Sequence, residues 1–257
     1  MSNVADEERY HQYFLTGNPF PQMAIIDPDS TDIRINGMIF NQEVFQEEIA
    51  DLRRKLDSKT NLVYITGGGW ERGVGKSALM VQEWKRLTNA VGVSSIYLKV
   101  RSKSSPSDFC DDIVQKWHRG GFFWEVLKKI LLQYSQDSPN PKIDHDNVRA
   151  FISTYPTMTD QIQFGLFSFL YKIETLVSDV TRWICARSPT ARDRIVKTFL
   201  ETYLTKPSAF YEEWLKATKG KGMDKIECFR TTMELMRISG YSYHYFFLDE
   251  FEETVEH

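Results

Sequence analysis

Cysteine is scarce in this chain. Cys110, Cys185 and Cys228 stand far apart, with no CxxC pair and no cluster of histidines beside them. That excludes a disulfide frame and a zinc site, and it predicts reduced, mostly buried thiols. Long apolar runs are missing as well: the most apolar stretch, Gln161 to Tyr171, lies between Asp160 and Lys172, well short of the roughly 20 residues a membrane span requires. Met1 to Tyr10 is acidic and polar, unlike a secretory leader, so a soluble, cytoplasmic protein without a membrane partner is expected. Neither sign of charge prevails, with 32 Lys+Arg against 35 Asp+Glu and a net charge of -3. Binding nucleic acid by bulk charge is therefore excluded, and only a local basic surface remains for it. Internal repeats and low-complexity tracts are absent.

What is present is ordinary for a globular chain and rich in rings: 42% hydrophobic, 26% charged and 14% aromatic residues over 257 positions. A chain of that length can bury a core unaided and form one or two domains. Its organisation changes along its length. A polar lead gives way at Tyr10 to Pro21 to aromatic anchors around a Gly-Asn-Pro turn, followed by a turn-rich loop at Ile25 to Asp32. Asn41 opens a predicted helix in which Val44, Phe45, Ile49, Leu52 and Leu56 recur at helical spacing up to Asp57. Residues 1–60 are read as an N-terminal strap and helix.

Residues 61–105 follow a different pattern. Asn61 to Thr66 is an uncharged, β-rich run, followed by Gly67-Gly68-Gly69 and then by Gly73-Val74-Gly75-Lys76-Ser77. A helix from Ala78 to Asn89 is expected to bury Leu79, Met80, Trp84 and Leu87, and Ser95 to Arg101 reads as a second strand. Strand, glycine loop, helix and strand are the opening of a parallel α/β sheet. From 106 to 240 helix follows helix: 107–118, 122–134, 146–154, 159–187, 191–204, 208–218 and 223–238 are set apart by Pro, Gly and Ser turns. The aromatics of this stretch, among them Trp117, Phe122, Phe123, Trp124, Phe164, Phe167, Phe169, Tyr171 and Trp183, are expected to form a helical core. Residues 241–257 return to a strand, Tyr243 to Leu248, which ends on Asp249-Glu250.

The glycine loop has the physics of a phosphate site. Glycines let backbone N–H groups turn toward phosphate oxygens, and the helix start adds the positive end of its dipole. Lys76 supplies a cation for the β and γ oxygens, and the Ser77 hydroxyl can ligate Mg²⁺. A lone Gly-Lys-Ser is common by chance; the strand before it and the helix through Ala78 after it make the signal specific. The spacing departs from the Walker A pattern, because Trp70 stands where its first glycine belongs. Either the loop starts at Gly69 and carries one extra residue, or that glycine is dispensable and Gly73 and Gly75, flanking Val74, make the close approach. The bland alternative is a glycine turn with a surface lysine.

Phe246-Phe247-Leu248-Asp249-Glu250 is the matching Walker B pattern. A carboxylate at the C-terminal end of a parallel strand lies where such sheets bind ligands. Asp249 would hold Mg²⁺ and Glu250 would polarise the attacking water as general base. The pattern is weak alone, since strands often end in exposed acids, and gains weight from the phosphate loop. A glutamate directly after the aspartate belongs to the additional-strand division of NTPases, in which another strand separates the Walker A and Walker B strands.

With these motifs, and with Asn18-Pro19-Phe20-Pro21 ahead of them, the chain resembles AAA+ or closely related STAND-type P-loop ATPases, in particular origin-recognition initiators and the ATPases of transposition and secretion. The resemblance covers Tyr10 to Arg101 and Tyr243 to Glu253. It implies a P-loop sheet with ATP and Mg²⁺ as cofactors, and subunits that often pair across the nucleotide into a homo-oligomer. It also puts Phe20, Pro21 and Ile25 near the adenine; an N-terminal strap that covers a hydrophobic edge accounts for these three equally well. Compact members of the family place Walker A and B much closer in sequence, so 106–240 is read as a large helical insertion. Few residues follow Asp249, which leaves no room for the family's sensor strand or lid. A fragment or N-terminal part of a longer ATPase is therefore expected, with an incomplete sheet, an open site or strands supplied by another chain.

Other groups read as structural. Lys216, Lys219, Lys221 and Lys225 form a basic patch that could meet nucleic-acid phosphates, with a solvated loop as the simpler account. Arg182, Arg187, Arg192 and Arg194 could include an arginine finger, with salt-bridged surface as the simpler account. His244 reads as a packed or edge histidine, and Asp111 and Asp112 as complements to a helix dipole. The expected function is an ATP-binding, ATP-hydrolysing switch that acts on DNA or a protein partner. The rival is a non-hydrolysing module that is stabilised by nucleotide and binds a protein through its helices.

Overall fold

A computed structural model describes residues 46–58, 76–100, 106–137, 145–158, 173–219 and 225–249. By its contacts the chain divides into two units, Met1–Arg86 and Leu87–His257. In the first, helix α1 (Gln46–Asp57) has Glu47 and Glu48 in its first turn and Arg54 and Lys55 in its last. That charge order suits the helix dipole. Its apolar stripe, Ile49, Leu52 and Leu56, is buried as the periodicity predicts.

Helix α2 (Lys76–Thr88) belongs to the first unit as far as Arg86. Leu79 and Leu87 are buried as expected, whereas Met80 and Trp84 are half-buried and the buried stripe includes Val81 and Glu83. A buried carboxylate needs partners, and Glu83 has two: Arg53 of α1 at 2.8 Å and Arg86 of α2 at 2.6 Å.

In the second unit, β1 (Val93–Lys99) and β2 (Tyr243–Asp249) pair in parallel, with Val93 opposite Tyr243 and Lys99 opposite Asp249. Two glycines set this register. Gly92 (φ +71°) and Gly240 (φ +90°) hold a backbone conformation that L side chains rarely adopt, and the Gly92 carbonyl accepts the Ser242 N–H at 2.8 Å. The two strands thus leave adjacent turns in the same direction. Parallel neighbours require a crossover, and among the described residues seven helices lie along it: α3 (Pro106–Arg119), α4 (Phe122–Asp137), α5 (His145–Thr154), α6 (Ile173–Arg187), α7 (Asp193–Thr205), α8 (Phe210–Thr218) and α9 (Lys225–Ile238). The described residues are therefore mostly helical with a small parallel sheet, an arrangement compatible with the α/β class.

These helices lie close to the positions that helical spacing predicts. Gly120 and Gly121 part α3 from α4, and Gly121 has a positive φ of 71°. Pro207 opens a 3-10 turn (Pro207–Ala209) ahead of α8, so the helix expected from Ser208 begins at Phe210. Residues 41–45, 159–172 and 223–224 of the predicted helices, the predicted strand 61–66, and the aromatics Phe164, Phe167, Phe169 and Tyr171 lie outside the described residues.

The core of the second unit joins the helices to the sheet: Ile96 and Leu98 of β1 belong to the same buried cluster as Val114, Trp117, Phe123, Trp124, Phe199, Phe210 and Trp214. At its centre the rings of Phe123, Phe199, Tyr203 and Phe210 meet, with centroids 5.3 Å apart for Phe123 and Phe210 and 4.9 Å for Tyr203 and Phe210. Such ring pairs add about 0.5–1.5 kcal/mol each beyond area burial. His118 closes this group through Nδ1, 2.7 Å from the Tyr203 hydroxyl. Cys110 and Cys228 are buried and outside any disulfide, as predicted. Cys185 is a half-buried free thiol, and burial, with Asp193 adding to it, raises its pKa. No described helix is long and apolar enough to cross a membrane.

Candidate functional site

Lys76, Ser77 and Ala78 form the opening of α2, where all three are half-buried. The first N–H groups of a helix have no partner within it, and its N-terminus carries about half a positive charge. Every other described α-helix places an acid in its first turn, from Glu47 in α1 and Asp108 in α3 to Glu227 in α9. Helix α2 has none and begins on a lysine. Its start is therefore positive by dipole and by side chain, an arrangement that favours an anion. Gly69, Gly73, Val74 and Gly75, together with Phe20, Pro21, Ile25 and Glu250, lie outside the described residues.

Asp249 belongs to the other unit and ends β2 with its side chain buried, at 9% exposure. Burying a carboxylate is costly unless hydrogen bonds replace water. The Tyr97 hydroxyl donates one to Asp249 Oδ2, and the Val100 N–H donates to the Asp249 main-chain oxygen at 2.9 Å. The reach follows from the register. Tyr97 lies opposite Phe247, so its side chain shares a face with Asp249 two residues on and meets it diagonally. Lys116 of α3 donates to the Tyr97 carbonyl at 2.7 Å. Tyr97 and Lys116 escaped the sequence reading: Tyr97 looks like one more apolar residue of SIYLK until the pairing of two strands far apart in sequence is known.

Ser77 in the first unit and Asp249 in the second each carry a hard oxygen donor. Mg²⁺ takes hard oxygen ligands, usually one or two from the protein with phosphate and water completing the shell. A serine hydroxyl and a carboxylate are ligands of that kind. Among the described residues no group of three or more His, Cys, Asp or Glu side chains gathers around a common point.

Several other candidates turn out to be engaged in ion pairs. Lys216 meets Glu213, and Lys225 meets Asp111, which draws charge from the basic patch. Lys221 lies outside the described residues. Asp111 is thereby corrected: it sits a turn into α3 and holds Lys225, while Asp108 is the acid that complements the helix start. Arg182 pairs with Asp179 and Arg192 with Glu227. Arg187 pairs with Asp137 and lies over the Trp183 ring. These three are the salt-bridged surface of the simpler account. His244 is half-buried, with Nδ1 2.7 Å from Ser94 Oγ, and burial takes its pKa down to about 4.

No protein-family model, curated protein or solved structure matches the chain.

Proposed function

We propose that this protein is a P-loop ATPase of the AAA+/STAND type, a nucleotide-driven switch whose helical region engages a DNA or protein partner. The observation that carries this reading is the start of α2. Directly after the Gly-Val-Gly sequence, a helix opens on Lys76 and Ser77 with no first-turn acid, unlike every other described α-helix. In this reading the backbone N–H groups and Lys76 bind the β and γ phosphates, and Ser77 and Asp249 hold Mg²⁺. Glu250 orients the attacking water and takes its proton, while Phe20 and Pro21 cover the adenine. The parallel pairing of β1 with the acid-ended β2 is compatible with a P-loop sheet.

Calorimetric titration with ATP and Mg²⁺, followed by a phosphate-release assay, tests the reading. Binding should fall at least about a hundredfold in Lys76→Ala, as expected when a cation paired with phosphate is lost. Glu250→Gln should bind nucleotide and release no phosphate. Unchanged affinity in Lys76→Ala would remove the basis for a nucleotide site. Tight binding without turnover, even with duplex DNA added, would favour the non-hydrolysing module. A shift on DNA that weakens steeply with salt identifies nucleic acid as the partner.

A further inference from the structure

Three anchors converge on the end of β2. The Val100 N–H holds the main-chain oxygen of Asp249, the Tyr97 hydroxyl holds its Oδ2, and Lys116 Nζ holds the carbonyl of Tyr97. Tyr97 is itself fully buried, so its ring cannot swing away without opening the packing around it. A carboxylate hydrogen-bonded in this way keeps one rotamer. A ligand that is already oriented spends less conformational entropy when a cation arrives, and the partners of a ligating carboxylate commonly govern metal affinity as well.

We infer that Tyr97 is a positioning residue for the metal carboxylate: its hydroxyl keeps Asp249 aimed from the strand end so that a divalent cation meets a pre-oriented ligand, while Lys116 fixes the stretch of β1 that carries the tyrosine. The inference rests on the reading of Asp249 as the Mg²⁺ ligand of an ATP site. It ties that ligand to α3, the first helix of the helical region, through two hydrogen bonds in series. Any movement of α3 that withdraws Lys116 acts on the strand segment holding Asp249, which gives the helical region a route to the metal.

The probe is Mn²⁺, whose binding to the full chain with ATP is followed by electron paramagnetic resonance, alongside ATP affinity measured without metal. Tyr97→Phe removes one oxygen and keeps the ring. It should weaken Mn²⁺ binding about tenfold and leave metal-free ATP affinity and the circular dichroism spectrum unchanged. Asp249→Asn should weaken Mn²⁺ binding further. If Asp249→Asn leaves Mn²⁺ affinity as it was, the reading of Asp249 as ligand fails and the role of Tyr97 fails with it. If Asp249→Asn weakens the metal and Tyr97→Phe does not, only the role of Tyr97 is lost. Should Tyr97→Phe not fold, the wild-type chain still decides the matter. The Tyr97 hydroxyl proton should stay protected from solvent exchange by NMR when Mg²⁺ and ATP are added; rapid exchange of that proton in the complex would show that the bond is given up and would overturn the inference.

Discussion

In the first unit Glu83 is fully buried and held from two sides by Arg53 and Arg86, Arg86 also reaching Asp57 at 3.5 Å. In the second unit the buried rings of Phe123, Phe199, Tyr203 and Phe210 meet instead. The two solutions differ in kind. Apolar burial is non-directional and scales with area, so it supplies bulk stability and tolerates small shifts. A buried carboxylate between two guanidinium groups is satisfied in one geometry, and its desolvation cost offsets much of the attraction. The first arrangement therefore fixes α2 against α1, and with it the register of the helix that opens on Lys76. The second gives β1, β2 and the helices a common body.

The largest expected effect comes from breaking the apolar side. Phe123 is 1% exposed and touches the rings of Trp117, Phe199, Tyr203 and Phe210. Phe123→Ala removes the ring and leaves a cavity, at a cost of about 3–5 kcal/mol. Urea denaturation measures the loss, and hydrogen exchange locates it in α3, α4, α7 and α8. A cost below about 1 kcal/mol, the level of a well-tolerated core swap, would mean that these rings do not form the centre of the unit.

A smaller effect is expected on the charged side. Glu83→Gln keeps the shape but turns one acceptor into a donor facing a guanidinium, losing one charge-assisted hydrogen bond and weakening the other, at about 1.5–3 kcal/mol. Both arginines are partly open to solvent, at 40% and 35% exposure, so they can rehydrate. That holds the cost under the roughly 3–5 kcal/mol of a stranded buried charge. Amide protection should drop in α1 and in the first three turns of α2. An equal drop across α4 to α9 would erase the contrast between the units.

The contrast also explains what could be read from the chain. Helices α3 to α9 announced themselves because local signals define them: Gly120-Gly121, Pro207 and the recurrence of rings at helical spacing act over a few residues. Trp117, Phe123 and Trp124 were recognisable as core for the same reason. Glu83 was not, because a glutamate on a helix reads as solvent-facing until Arg53, thirty positions earlier, is known to face it. Tyr97 and Asp249 meet across 152 positions, and no local pattern reports the register of a parallel pair. Lys76, Ser77 and Asp249 were legible as residue types in a motif. The absence of an acid from the first turn of α2 was visible too, and became informative only once the other helix starts were known.

The finest test lies inside the second unit, where a neutral polar pair sits on the apolar face of the sheet. Ser94 and His244 are register partners on the face that also carries Ile96 and Leu98. Burial takes the pKa of His244 from its ordinary 6.5 down to about 4. The folded chain thus keeps this ring neutral, while the unfolded chain protonates it as pH falls below about 6.5. Its contribution to stability is complete above that pH and is lost progressively between 6.5 and 4, because the unfolded state binds the extra proton. Partial solvent access screens the effect to on the order of 1–2 kcal/mol. His244→Asn retains a polar partner for Ser94 and has no titrating ring, so its stability should fall less steeply with pH across that window than the wild type's. Chemical denaturation at half-unit pH intervals measures the two slopes. Equal slopes would show that the acid sensitivity of the second unit arises from its carboxylates, and that a neutral pair inside an apolar layer leaves no mark of its own.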